Sequence, residues 1–497
     1  MFRPSDRLMA ATNFEGASTT RRLRTWGISS AGPNTVLQDS LNTVKYRCRT
    51  LIRNNPTAFR GIDSFVTNLI GRGITPRWNT GDPGLDKEIL ELWKLSAEEI
   101  DADEGLDFYG LQALMTRSML ESGDVLALFK HRRATSDLLV PLQLQLLESD
   151  HLYDAYDQTM PNGNSIRMGI EINRAGKRIA YHMYTEHPGD NHLFLTRNIL
   201  SIRILAKNVL HVYQPLRPGQ LRGWPGMATI ITKLYNLDQY EDAELDRKKV
   251  AAFYAAFITS PPGDPALSGL PGQDLDYNNE DDLVGLEPGI MQSLRPGEHM
   301  EFSKPADVGE TYEPWIKQQY YRIAAGMGIT YEQLTGDLRG VNYSSIRAGL
   351  VEFYRGCRVK QGQIIVHKFC RPVTTRWLDM SILSKAIRIR DDMERRRRII
   401  HNIWDPDGWD WVDPLKDVKG KQLAVRSGFE SRARVVSESG GNIAEIDAEM
   451  AADNARADDS ELILDSDPRY TTSTGAARKE QDKTQDKTQD KGGPDDE

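Results

Sequence analysis

GDLRGVNYSSIRAGLVEF, residues 336–353, runs from a polar loop punctuated by glycine straight into an amphipathic helix. Asn342, Ser344 and Ser345 each offer a side-chain oxygen to the free amides of a first helical turn. Ile346, Leu350, Phe353 and Cys357 then recur at helical spacing. A helix is therefore expected from Ser345 through Ile364, Ile365 and Phe369, until Pro372 kinks or ends it. Ahead of it, Gly336 and Gly340 give the loop backbone freedom that no other residue type allows.

Working outward, residues 227–260 contain no Gly or Pro. That is enough for a helix ~50 Å long, a length typical of bundles and of assemblies built from parallel copies. Met227, Ile230, Ile231 and Leu234 share one face, so the first turns are expected to be buried there, whereas 250–258 is apolar nearly all round. The next stretch, 261–312, changes character: it holds 7 prolines, 7 glycines and 11 acids against 2 bases. It reads as an acidic insert, with short strands bracketed by the turns EPG at Glu287 and RPG at Arg295. Helical periodicity resumes from Pro314 to about Met327.

The first half reads as α+β. Apolar positions at Leu51, Ile52, Phe59, Ile62, Phe65 and Ile70 predict helices over 37–78, and a second helical stretch covers 86–122. Gln143 to Leu146 alternates with period two, 168–172 and 179–183 flank a turn at 173–176, and 202–213 adds a further strand. Beyond Pro372 three helical pieces are marked by Asp413 with Pro414, by Gly428, and by Asn442 with Glu445 as a capping box.

Length, 497 residues, gives room for two to four domains with a sizeable core. No run approaches the ~18 apolar residues of a membrane span, and 1–16 has no apolar stretch of signal-peptide type, so a soluble, non-secreted chain is expected. Cys48, Cys357 and Cys370 are too few and too widely spaced for a disulfide framework or a zinc site. The formal charge of -8 is segregated: 261–312 carries 9 of the excess acids and 453–497 another 6, which leaves the remainder at +7. A basic body with acidic appendages fits contact with DNA without tight adhesion. Residues before about Asn34 form a basic arm with Arg21, Arg22 and Arg24, and the repeat QDKTQDKTQDK near the end cannot bury apolar area.

Phosphate loops, HExxH, GxSxG and CxxC are all absent from the sequence. His182, His187 and His192 stand five apart, a spacing for neither one helix face nor one side of a strand, and read as surface histidines of a hairpin. Asp405, Asp407, Asp410 and Asp413 fail the calcium-loop pattern at Trp409 and Asp410, which leaves a turn anchored by tryptophan. ERRRR at 394–398 reads as a solvated helix face or contacts to a neighbouring copy, with phosphate contact as the sharper alternative. Gly71 and Gly73 lack the third glycine of a dinucleotide site and read as a turn.

Together with HVYQPLRPGQLRGWP at 211–225, RNNPTAFRGIDSFVTNLIGRGITPRW at 53–78 and DPLKDVKGKQLAVRSGFESR at 413–432, the loop and helix resemble the portal proteins of lambda-like tailed bacteriophages. Trp224, where a smaller apolar residue is expected, and the tail after Asp465 depart from that pattern. The resemblance implies a helix-rich α+β portal fold assembling as a ring, dodecameric in the virion, at one capsid vertex. Through it double-stranded DNA is packaged and ejected. No enzymatic activity, cofactor, metal or membrane is implied. Partners implied are other copies of the chain, the terminase large subunit, the major capsid protein and scaffold, head-tail connector proteins, and DNA bound without sequence preference. Assembly is expected in the host cytoplasm.

Laid along the chain, the resemblance implies a flexible basic arm at 1–33, wing at 34–226, stem helix at 227–260 and clip at 261–312. The returning stem helix follows at 313–328, a channel loop at 329–344, a kinked wing helix and following segment at 345–412, a crown at 413–464 and a disordered tail at 465–497. In a ring any lumen-facing acid is repeated by every subunit, so Asp238, Glu241, Asp242 and Asp246, on one helical face, are candidates to repel DNA phosphates. Their bland reading is a solvated stripe with intrahelical pairs such as Glu244 with Lys248. Leu338, Arg339, Gly340, Val341 and Asn342 are candidate channel-facing residues, with Asp337 and Arg339 offering opposite charges between copies. Asp281, Asp282 and Glu287 are candidates for docking the packaging motor and connectors. The other function classes are a monomeric DNA-binding adaptor of phage assembly and, further off, an enzyme that processes nucleic acid.

Overall fold

The computed structural model describes residues 21, 24–133, 137–190, 201–252, 256–259, 299–302, 312–388, 397, 399–409, 413–462, 464, 467 and 469. They divide into two compact units, Met1–Leu69 with Lys94–Ile389, and Ile70–Trp93 with Arg390–Glu497.

In chain order the first elements are α1 (Pro33–Asn54), α2 (Pro56–Ile70), β1 (Thr75–Arg77), α3 (Pro83–Glu98) and α4 (Phe108–Ser122). Asn55 separates α1 from α2 because the residue before a proline is pushed out of the helical region; it is extended, and its side chain caps α2 through the Ala58 amide at 2.9 Å. Then come β2 (Asp124–His131), β3 (Leu142–Glu148), β4 (Gln158–Thr159), β5 (Ser165–Arg167), β6 (Ile170–Ile172), β7 (Arg178–Tyr184), β8 (Ser201–Leu205) and β9 (Val209–Tyr213). They make two antiparallel sheets, of order β3-β2-β9 and β4-β5-β6-β7-β8. The single strand expected over 202–213 is thus two strands in different sheets, parted by a 3-10 turn at Ala206–Asn208. Period-two patterning continues across the turn, so the sequence hides the change of sheet. Between the sheets and α1 lies a core of Leu37, Leu41, Leu126, Ile170, Met183 and Val209.

The long helix is α5 (Ile231–Ala252), and it is followed by β10 (Ala256–Thr259), paired antiparallel with β11 (His299–Phe302). The helix expected over 227–260 is therefore shorter. Residues 253–259 read FYAAFIT, rich in aromatic and β-branched types, and a partner strand at 299–302 supplies a ladder that helix propensity alone does not oppose. Met227, Ile230, Ile231 and Leu234 are all buried, as their shared face requires. The turns proposed at Glu287 and Arg295, and most of the acidic insert, lie outside the described residues.

α6 (Tyr312–Met327) packs on α5 through Tyr240, which meets Trp315 at 4.6 Å and Tyr312 at 6.2 Å between ring centroids. The short α7 (Tyr331–Thr335) starts with a reciprocal capping box of Thr330 and Gln333 and ends at Gly336 in a left-handed conformation. α8 (Tyr343–Lys360) starts two residues earlier than expected, because Asn342 is the side chain that caps it, accepting from the Ser344 amide. Pro372 does not end this helix. A π-helical stretch, Gln361–Cys370, shifts the hydrogen bonding by one residue just ahead of the proline, and α9 (Arg371–Leu383) continues with Pro372 in its first turn.

In the second unit β1 pairs antiparallel with β12 (Ile403–Asp405), and Trp78 packs edge-on against Trp93. Arg77 and the Ser437 hydroxyl both bond the Asp405 carboxylate, while Arg72 holds Asp407 at 2.9 Å. Two of the carboxylates that looked like a calcium loop are thus neutralised by arginine, and Asp410 lies outside the described residues. Gly71 and Gly73 form the expected turn, with positive φ at both. α10 (Pro414–Arg426), α11 (Arg432–Glu438) and α12 (Ile443–Asp459) are capped by Asp413, Ser431 and Asn442. Arg469 pairs with both Asp458 and Asp467, and the rest of the expected tail lies outside the described residues. Of the Arg run, only Arg397 is described; it is exposed.

Candidate functional site

The four acids singled out on α5 do not share one environment. Asp238 is half-buried and accepts from Asn55 Nδ2 at 3.0 Å; Glu241, also half-buried, accepts from the Tyr320 hydroxyl at 2.8 Å. Burial and that carboxylate push the Tyr320 phenol well above its ordinary value. Both acids therefore tie α5 to α2 and α6. Asp242 and Asp246 are exposed, and Asp246 pairs with Lys249 at 3.0 Å. Glu244, buried, is bonded by Arg247 at 2.6 Å, ahead of Lys248 at 3.9 Å. Among the described residues Asp242 has no ion-pair partner, so the free carboxylate of the face is that one.

The loop is the most solvent-directed part of this region. Leu338 is 65% exposed, Arg339 and Gly340 are exposed, and nothing lies within 4 Å of the position a Gly340 side chain would take. Asp337 accepts from both the Arg339 amide and its guanidinium at 3.0 Å. These bonds hold the Asp337 carboxyl well below the usual range. The two charges expected to act between copies are thus paired with each other inside one loop, because two residues of separation in a turn brings them together more cheaply than a neighbour can. Asp281, Asp282 and Glu287 lie outside the described residues.

Sequence reasoning missed a buried ionic network under the 211–225 segment. Asp124, at the start of β2, stands opposite Tyr213 of β9 and reaches diagonally to His211, two residues along the strand, and Arg222 reaches the same carboxylate; all three side chains are 0–1% exposed. Burial alone would raise the Asp124 carboxyl, but Arg222 and His211 outweigh it and hold it far below its ordinary value. Burial pulls His211 down to about 4, so the ring is neutral and donates from Nε2 to Asp124 at 3.0 Å. A second buried pair, Lys45 with Asp150 at 3.0 Å, stands near it. The loop between β9 and Arg222 is fixed by Gln220, whose side chain accepts from the Leu216 and Arg217 amides and donates to the Arg222 carbonyl. Gly223 follows because an added Cβ would lie 1.9 Å from the Gly123 carbonyl oxygen. Trp224, the departure noted above, packs half-buried on the core. The Pro/Gly-rich segment at 211–225 was visible in the sequence, but which acid met which base across about a hundred residues was not.

His182 lies on β7, 3.7 Å from Glu171, which Arg203 already neutralises, and His192 lies outside the described residues. Glu148, Asp150 and His187 bring ligand atoms within 4.8 Å of one another, yet Arg49 bonds both carboxylates at 2.7 and 2.8 Å and supplies the positive charge there.

Known proteins resemble this chain over most of its length. The "Probable portal protein" of Halomonas phage phiHAP-1 is 28% identical over 86% of this chain and 82% of its own. "Portal protein B" of Escherichia phage lambda is 22% identical over 88% and 87%. Among solved structures, a chain from the virion of a native gene transfer agent particle covers 80% of this chain and 93% of its own, at 16% identity and a TM-score of 0.46. The model of the family "Phage portal protein, lambda family" matches residues 19–361, more than half of the chain, and the protein belongs to that family of phage portal proteins.

Proposed function

We propose that this chain forms the ring at the unique capsid vertex through which double-stranded DNA enters and leaves, with no chemistry of its own. The observation that carries the reading is the order of elements after residue 230. Helix α5 leads into the acidic insert, α6 returns and packs on α5, and an exposed loop then feeds the long α8. In this assignment α5 and α6 are the stem, 261–312 the clip, 329–344 the channel loop, the first sheets and α8 the wing, and α10 to α12 the crown. Asp242 and Asp246 then face the lumen, where repetition around the ring builds a field that keeps phosphates from adhering. Asp238 and Glu241 hold the stem together instead. Leu338 to Asn342 line the channel at its narrowest, and Asp281, Asp282 and Glu287 dock the terminase large subunit and later the connector proteins. Imaging the purified chain by negative-stain electron microscopy tests the ring: particles with a central hole support it, and monomers at assembly concentrations contradict it.

A further inference from the structure

Residues 24–32 leave the start of α1 with two large apolar side chains almost bare: Trp26 is 69% and Ile28 94% exposed. Alternating positions on an extended strand point to one side, so both can enter one surface together. Elsewhere on the same unit, α6, α7 and α8, with Phe65 of α2, line two abutting open cavities of about 310 and 420 Å³ that share Ile329, Thr330 and Gly349. Each would otherwise hold on the order of ten waters against Ala324, Ile346 or Phe353. Glu332 lines the first and suits the basic Arg24 of the arm, while in the second Glu352 stands with Lys360 and pairs with Arg355 at 3.3 Å.

We propose that residues 24–32 of one copy dock in the groove between α6, α7 and α8 of its neighbour, with Trp26 and Ile28 as anchors. The chain's own groove is out of reach. The base of the arm is pinned where Asn34 bonds the Gly219 carbonyl and the Leu221 amide. The groove lies past the other end of α1: Tyr320 bonds Thr57, Met327 packs over Gly61, and Phe65 lines one cavity. The 22 residues of α1 put roughly 33 Å between its ends, whereas seven extended residues from Pro33 carry Trp26 about 25 Å at most. Arm and groove are different surfaces, so the contact runs head to tail and closes only in a ring. The inference rests on the ring assembly proposed above.

Oxidising the full-length Ile28→Cys/Glu352→Cys variant tests it, since Cys48, Cys357 and Cys370 are buried. The expected product on a denaturing gel is a ladder from dimers up to the closed ring. Trp26→Ala/Ile28→Ala should raise the concentration for half-assembly at least tenfold with unchanged circular dichroism. Gly356→Leu should do the same by filling the groove from a position where a Cβ meets nothing within 4 Å. An intrachain link, or intact rings without links and with unaffected variants, would overturn the arm contact and leave the ring standing. A wild-type chain that never forms rings would overturn both.

Discussion

His211 Nε2 lies 3.0 Å from Asp124 Oδ2, two side chains 1% and 0% exposed, joined across β9 and β2. A neutral imidazole, a carboxylate and the Arg222 guanidinium share one buried site. Such a network is strong while its members keep their charges and costly once one of them changes.

Acid should therefore weaken the chain well above the usual carboxylate range. An unfolded histidine takes up a proton near 6.5, while His211 in the fold resists until about 4, so the unfolded state binds more protons in that window and stability falls as pH falls. From about pH 6.5 to about pH 5 the loss is about 2 kcal/mol. Asp124 has the same sign but acts only below its ordinary value of 3.8. His131 and His182 are lowered too, so urea unfolding of the wild type must be compared with His211→Gln, whose pH slope should be shallower. Equal slopes would show that His211 is not held neutral.

Removing one partner of the network is predicted to cost more than removing the pair. Arg222→Met leaves Asp124 charged and enclosed, a loss of roughly 3–5 kcal/mol, and adding Asp124→Asn should recover part of it. A double-mutant cycle by chemical denaturation measures this directly, and strict additivity would contradict it.

Sequence patterning carried the helices of the first half, the hairpin at 173–176 and the caps at Asp413 and Asn442, because periodicity and capping are local properties. It failed where the decision was nonlocal. The strand at 256–259 depends on a partner at 299–302, the change of sheet at 206–208 interrupts nothing in the alternation, and Pro372 is tolerated because a π-helical stretch precedes it. For the candidate site the same division holds. The loop at 337–342 announced itself by its glycines and cap. That Glu241 meets Tyr320, or Asp337 meets Arg339, follows from geometry that spacing alone does not encode.

Gly340 should tolerate substitution poorly in function and well in folding. Its φ of +70° is left-handed, and a β-branched residue there meets no neighbour but bears a strain of roughly 1–2 kcal/mol. Gly340→Val is expected to give normal rings and proheads whose packaged DNA, sized on gels, is short or leaks. Full-length, retained genomes would contradict a gripping role for the loop.

Neutralising Asp281, Asp282 and Glu287 together to their amides should weaken binding of the packaging motor most at low salt, with rings intact. Attraction between charges that meet across solvent is screened by salt, so the loss is largest where screening is weakest. Affinity that stays the same at low ionic strength would place docking elsewhere.

The central claim, that the exposed loop ahead of α8 meets DNA in the channel, is tested most directly by photo-cross-linking. A photoreactive residue at Leu338, irradiated during stalled packaging, is predicted to yield a portal–DNA adduct, while the same residue at the more exposed Leu383 yields none. Adducts at Leu383 and none at Leu338 would contradict the account.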